Sequence, residues 1–188
     1  VIKHSALLAT SLAVVSLTAC SKKEPQPAAD MTSAPATDAM GDTAAAPAQS
    51  PAQAFANLAA ASDMFEIETS KLAAENAQSG KVKAFAEQMI KAHTDSTRKL
   101  TEAAEAATPP ITPAPSLTAA QRTQLADLEA MTGAAFDKAY AKAQVSAHQA
   151  TLDALNGYAA GGDQASLKTF AKDVVPTVTA HLNMAKGL

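Results

Sequence analysis

The 188-residue sequence has one cysteine, no tryptophan and only 4% aromatic residues. A single cysteine excludes an internal disulfide, a cysteine-rich zinc site and a CxxC redox pair. No excess of one charge is present either, since 15 Lys+Arg stand against 18 Asp+Glu for a net charge of −3. Binding to nucleic acid through a basic face is therefore not expected. Large apolar side chains are scarce: the 47% hydrophobic fraction includes 48 alanines. Alanine buries little surface but is the best helix former, so the composition points to thin, closely packed helices. The length suits one domain with appendages. There is no Ser/His/Asp arrangement, phosphate-cradling glycine loop or dinucleotide fingerprint, so no catalytic residue is assigned.

The first residues read as an address. Lys3 and His4 precede an apolar run from Ser5 to Leu17. At about 15 residues it has the size of a secretory signal core and is too short to span a bilayer. It ends in Leu17-Thr18-Ala19-Cys20, which resembles the lipobox of bacterial lipoproteins. That resemblance implies removal of residues 1–19 and acylation of Cys20, palmitate among the chains, with the membrane as the partner that Cys20 contacts. Several acyl chains on one residue exceed what stable anchoring needs. Ser21 stands where lipoproteins kept in the inner membrane usually carry Asp, so the resemblance implies an outer-membrane anchor with the domain in the periplasm. Residues 20–52 hold Pro, Ala, Ser, Thr and Asp with almost no large apolar residue, the composition of a disordered tether. Its reach is roughly 30 Å.

From residue 53 onward β-branched residues are sparse and no period-2 alternation appears. Helical periodicity predicts four long helices at about 52–79, 81–107, 134–159 and 164–186, with a short one at about 118–130. The stops are Ser79-Gly80, the proline-rich run 109–115, Thr132-Gly133 and Gly161-Gly162. Ser116 or Thr118 would cap the short helix and Asp163 the last one, while Pro176 should kink or break the last helix. Four one-sided helices bury their stripes most simply as a four-helix bundle.

The chain is also similar to the bacterial DUF4142 family, a domain of unknown function placed among the ferritin-like bundles. The resemblance rests on Phe65-Glu66-Ile67-Glu68-Thr69-Ser70-Lys71-Leu72-Ala73 and on Val82-Lys83-Ala84-Phe85-Ala86 with Met89, Ile90, His93 and Thr94. It continues in Gly133 to Tyr140, Gln144, Ala147-His148, Leu167-Lys168, Phe170-Ala171, Pro176 and His181-Leu182. It implies an all-α, ferritin-like four-helix bundle over 53–188, with a long crossover that contains the short helix. Ala92 departs from the pattern, since the family commonly has Asp before that histidine.

One constellation carries chemistry. His93, His148 and His181 each fall on the apolar stripe of a different long helix, and Glu68 is assigned to the stripe of the first. Bundle cores build metal sites from inward side chains in this way. Measured down from the turn near residue 80, helix rise puts Glu68 roughly 17 Å, His93 roughly 20 Å and His148 roughly 21 Å along the axis. Simple up-down-up-down order would leave His181 at roughly 29 Å, whereas ferritin-like order, with the third long helix descending beside the second, brings it to roughly 12–14 Å.

The set lacks the Glu three residues before His that ferritin-type di-iron sites need, because Ile90, Val145 and Val178 stand there. Three imidazoles and a carboxylate would suit one Zn, Cu or Fe ion. A polar network in which Glu68 and the histidines satisfy one another is the simpler reading from residues alone. The sequence thus predicts a non-enzymatic structural or stress-related binding module of the envelope, with metal binding or sequestration, and possible redox chemistry, as the alternative. An envelope protein or the cell wall is a further partner open to its outer faces. Glu66, Lys71, Lys81, Lys83 and Glu87 read as solvated helix faces. Asp137 reads as favouring a helix N-terminus, and Tyr140 as core.

Overall fold

The computed structural model describes residues 49–188, and every regular element among them is helical. The signal segment 1–19, Cys20 and the tether up to residue 48 lie outside the described residues. The helices are α1 (Pro51–Asn76), α2 (Gly80–Glu105), α3 (Ala119–Glu129), α4 (Gly133–Gly161) and α5 (Ala165–Ala185).

Local chemistry explains most of the boundaries. The Ser50 hydroxyl accepts from the Gln53 amide, and Pro51 follows at the first helical position, where no backbone donor is needed. Ser79, expected as a stop, is the cap of α2, its hydroxyl accepting from the Val82 amide. Asp137 on α4 accepts from the amides of Gln78 and Ser79, so it ties the α1–α2 turn to α4 besides sitting near its own helix start. Thr118 and Gln121 form a reciprocal capping box on α3. Asp163 does not cap α5: Gln164 holds that position, and Asp163 instead accepts from the Tyr158 hydroxyl at 2.9 Å. Pro176 does not interrupt α5, which runs through it as one helix.

The four long helices form a ferritin-like bundle. The crossover from α2 to α4 first meets the α4–α5 turn, where the Gln164 side chain accepts from the Thr108 amide and donates to its carbonyl. It then climbs along α1, with Asn57 accepting from the Ala114 amide and Gln53 donating to the Thr112 carbonyl. α3 completes the climb and buries Leu128. α4 packs against α1 and α5, and α2 against α1 and α5. The descending α4 is therefore the neighbour of α1, and it faces α2 across the core instead of lying beside it. Antiparallel packing of α1 on α4 shows in the Ser62–Thr151 bond at 2.6 Å and the Ser70–Tyr140 bond at 2.8 Å.

Two apolar clusters fill the ends of the bundle. One holds Phe55, Leu100, Leu155, Leu167 and Phe170, with the Phe55 ring stacked on Tyr158 at a centroid separation of 3.9 Å. The other holds Val82, Phe85, Met89, Leu128, Phe136 and Tyr140. Between them lies a belt of buried polar residues: Ser62, Asp63, Glu66, Thr69 and Ser70 of α1, His93 of α2, Gln144 and His148 of α4, and His181 of α5.

Candidate metal centre

Each long helix contributes to the centre of this belt. His93, His148 and His181 are all buried, and their ring centroids lie 5.5–5.9 Å apart. One ring nitrogen from each lies within 4.8 Å of the other two. Imidazoles holding a metal at about 2.0–2.1 Å place their nitrogens about 3.3–3.6 Å apart, so small side-chain adjustments of about 1 Å would close the set.

Two of the rings are oriented from behind. Nδ1 of His93 is 2.8 Å from Oδ1 of Asp63, whose other oxygen accepts from the Thr97 hydroxyl at 3.1 Å. Nδ1 of His148 is 2.8 Å from the Gln144 carbonyl and 3.5 Å from Oε1 of Glu66. With Nδ1 of His148 donating to a carbonyl, the ring presents the lone pair of Nε2, and the carboxylate behind His93 does the same there once its proton leaves. Nε2 of His93, Nε2 of His148 and Nδ1 of His181 have no hydrogen-bond partner among the described residues, nor do both oxygens of Glu66 or Oε1 of Gln144. Glu66 and the Gln144 amide lie close enough to pair with each other, whereas the three imidazole nitrogens, in a layer where buried polar atoms are normally paired, stay available to a ligand.

Burial and charge separate the histidines. For His148, burial first and then the nearby His93 charge push its pKa down to about 4. His181 is lowered to about 4 by the same two causes in the same order. Both are neutral, with lone pairs available, at ordinary pH. Burial would also lower His93, but the hydrogen bond to Asp63 and the Glu66 carboxylate outweigh it and raise its pKa. Burial lifts Glu66 to about 7, against the pull of the His93 charge.

The structure thus brings together the three histidines singled out in the sequence and leaves out Glu68. The Glu68 side chain is 43% exposed and pairs with Lys71 at 2.8 Å. The buried acid is Glu66, which sequence reasoning had put on a solvated face. The two are about 200° apart around a helix with 3.6 residues per turn. Asp63 and Gln144 were also missed as members of the site. A signal for the correct phase existed: stepping from Phe55 by about 3.6 residues reaches 62, 66, 69 and 73. The absence of Asp at position 92 does not leave His93 unoriented, because Asp63 of α1 orients it from the facing helix.

Residues 37–188 match the family model described as a domain of unknown function, DUF4142. No curated protein matches the sequence. Among solved structures, the chain is similar to CopM in the Cu(I)-bound form, with a TM-score of 0.60 at 14% identity over 74% of this chain and 95% of that one. It is similar to CopM in the Cu(II)-bound form at a TM-score of 0.60 and 13% identity, over 72% of this chain and 93% of the other. For the Ag-bound form the TM-score is 0.56 at 15% identity, with 74% and 95% covered. At such identity the likeness shows the shared fold.

Proposed function

The chain belongs to the DUF4142 family, whose description assigns it no activity, and we propose that it binds and sequesters a single copper ion in the core of its bundle. The carrying observation is the convergence of three buried imidazoles, each with a ring nitrogen that has no partner among the described residues. His93, His148 and His181 supply the ligand atoms, Asp63 orients His93, and Glu66 stands behind His148 as a carboxyl that gives up its proton to offset the charge of a bound ion. Three imidazoles without a thiolate suit copper or zinc. The copper- and silver-bound states of the similar CopM structures make copper the first choice. A polar network that satisfied itself would be the alternative, but it would leave three converging imidazole nitrogens without a partner among the described residues. Holding an ion is the expected work, because burial at 2–4% exposure leaves the rings little contact with a substrate. The location that goes with this reading is the periplasmic face of the outer membrane, through acylated Cys20.

The test is elemental analysis of protein purified without chelator, alongside a His93→Ala/His148→Ala/His181→Ala variant checked for helicity. Near-stoichiometric copper that is lost in the variant, with a copper-dependent rise in melting temperature, is the expected result. Copper content unchanged by the triple substitution would overturn the assignment.

A further inference from the structure

Two concavities lie where α2 faces α5. The outer one is an open groove of ≈ 620 Å³. The inner one is a cavity of ≈ 30 Å³ lined by His93, His181 and Asp63 among others. That volume is about the share of one water molecule. Both are lined by the same five side chains, Ala92, Ser96, Phe170, Val174 and Thr177, which therefore form the wall between the groove and two of the three histidines. Two further grooves, of ≈ 270 Å³ and ≈ 370 Å³, touch none of the histidines.

The wall is built to yield. On α2 it consists of Ala92 and Ser96, two small side chains one turn apart. On α5 it lies beside Pro176, which has no N–H, so the Lys172 carbonyl one turn earlier lacks its helical donor. The groove outside carries Asp95, Glu102 and Asp173. Asp95 and Glu102 are paired with Arg98 and Lys99, while Asp173 makes no ion pair among the described residues and leaves a negative charge at the mouth. Such a charge favours the approach of a cation.

We infer that the metal ion enters and leaves the histidine centre sideways, between α2 and α5, through a gate formed by Ala92, Ser96, Phe170, Val174 and Thr177. The inference rests on the metal centre proposed above and adds its route of exchange. The gate residues are not ligands, so they set the rate of exchange and leave the affinity alone.

The test blocks the gate after folding. A Cys20→Ser/Ser96→Cys chain is capped on its only thiol with either a methylthio group or a bulky aromatic maleimide. Cu(II) is then supplied from a chromophoric chelator and followed by stopped flow, with the equilibrium affinity titrated in parallel. The bulky cap should slow both loading and release about tenfold or more relative to the small cap, at matching affinity, because local opening must now displace it. Equal rates for the two caps at matching affinity would overturn the lateral route. Failure of the Cys20→Ser parent to bind Cu(II) at equilibrium would overturn the metal centre, and the route with it. An Ala92→Leu chain, which fills the wall without a label, should show the same slowing.

Discussion

Replacing Glu66 with Gln should stabilise the metal-free protein, and increasingly so as the pH rises. The carboxyl is 1% exposed, and burial lifts it from 4.5 to about 7. Its folded-state pKa is raised, so the native chain keeps a proton that the unfolded chain has released. The sign follows: stability falls as pH climbs above 4.5 and levels off once the pH passes about 7. The gap corresponds to roughly 3 kcal/mol at about 1.4 kcal/mol per pH unit. Gln resembles the protonated acid in size and never ionises. The advantage of Glu66→Gln should therefore grow from below about 1 kcal/mol at about pH 5 toward an upper bound of roughly 3 kcal/mol at about pH 8, reduced by the attraction to His93 that the Gln variant also loses. His148 and His181, lowered to about 4, make both proteins gain stability as the pH rises from about 4 to about 6.5, and that common term cancels in the comparison. The assay is urea unfolding of both proteins in excess chelator across this range. A difference that does not change with pH, or a Gln variant less stable at the alkaline end, would refute the burial argument.

Copper affinity should weaken with acid. The raised pKa of His93 means that a proton competes with the metal as pH falls through that value, at about tenfold per pH unit for one proton, while His148 and His181 join only near their pKa of about 4; chelator competition at several pH values measures it. Asp63→Asn removes the negative charge behind His93 and should weaken copper binding about 10–100-fold with helicity unchanged, as read by competition titration and circular dichroism. Gly162→Ala would put a Cβ 2.5 Å from the Tyr158 ring and 2.6 Å from its carbonyl, and should cost about 1–3 kcal/mol in thermal unfolding. Gly80→Ala, which meets nothing within 4 Å at the start of α2, should instead stabilise by about 0.4–1 kcal/mol in the same melts.

The helices were legible because their ends are punctuated by Ser79-Gly80, the proline-rich run 109–115, Thr132-Gly133 and Gly161-Gly162. The three histidines were legible because each sits among large apolar residues that fix its phase, as His93 does between Met89 and Leu100. α1 is different. Its buried residues are Ala52, Ala56, Ala59, Ala60, Ala61, Ser62, Asp63, Glu66, Thr69, Ser70 and Ala73, with only Phe55 and Phe65 as bulky markers. Leu58, which reads as a core residue, is 49% exposed. On a helix whose inner face is alanine and polar groups, hydrophobicity carries little phase information, and an error of two residues exchanges Glu66 for Glu68. Asp63 was hidden for the same reason, since a buried carboxylate is recognised only by the imidazole it meets across the bundle.

The belt is a costly way to hold a bundle together. Three buried imidazole nitrogens without partners among the described residues each forfeit hydration at about 1–3 kcal/mol, whereas apolar residues of similar volume would join the two end clusters into one continuous core. The small inner face of α1 has the opposite character: Ala, Ser and Thr let neighbouring helices approach closely, and the Ser62–Thr151 and Ser70–Tyr140 bonds fix α1 on α4 at the two edges of the belt. Rigid framing around an unsatisfied centre suits ligand capture, because the helices are already positioned when the ion arrives and little ordering remains to be done. The same framing makes metal content and stability two readings of one quantity. An ion bound only by the folded belt should raise the melting temperature in proportion to the logarithm of its concentration above the dissociation constant, and a belt that serves structure alone should not respond to copper at all.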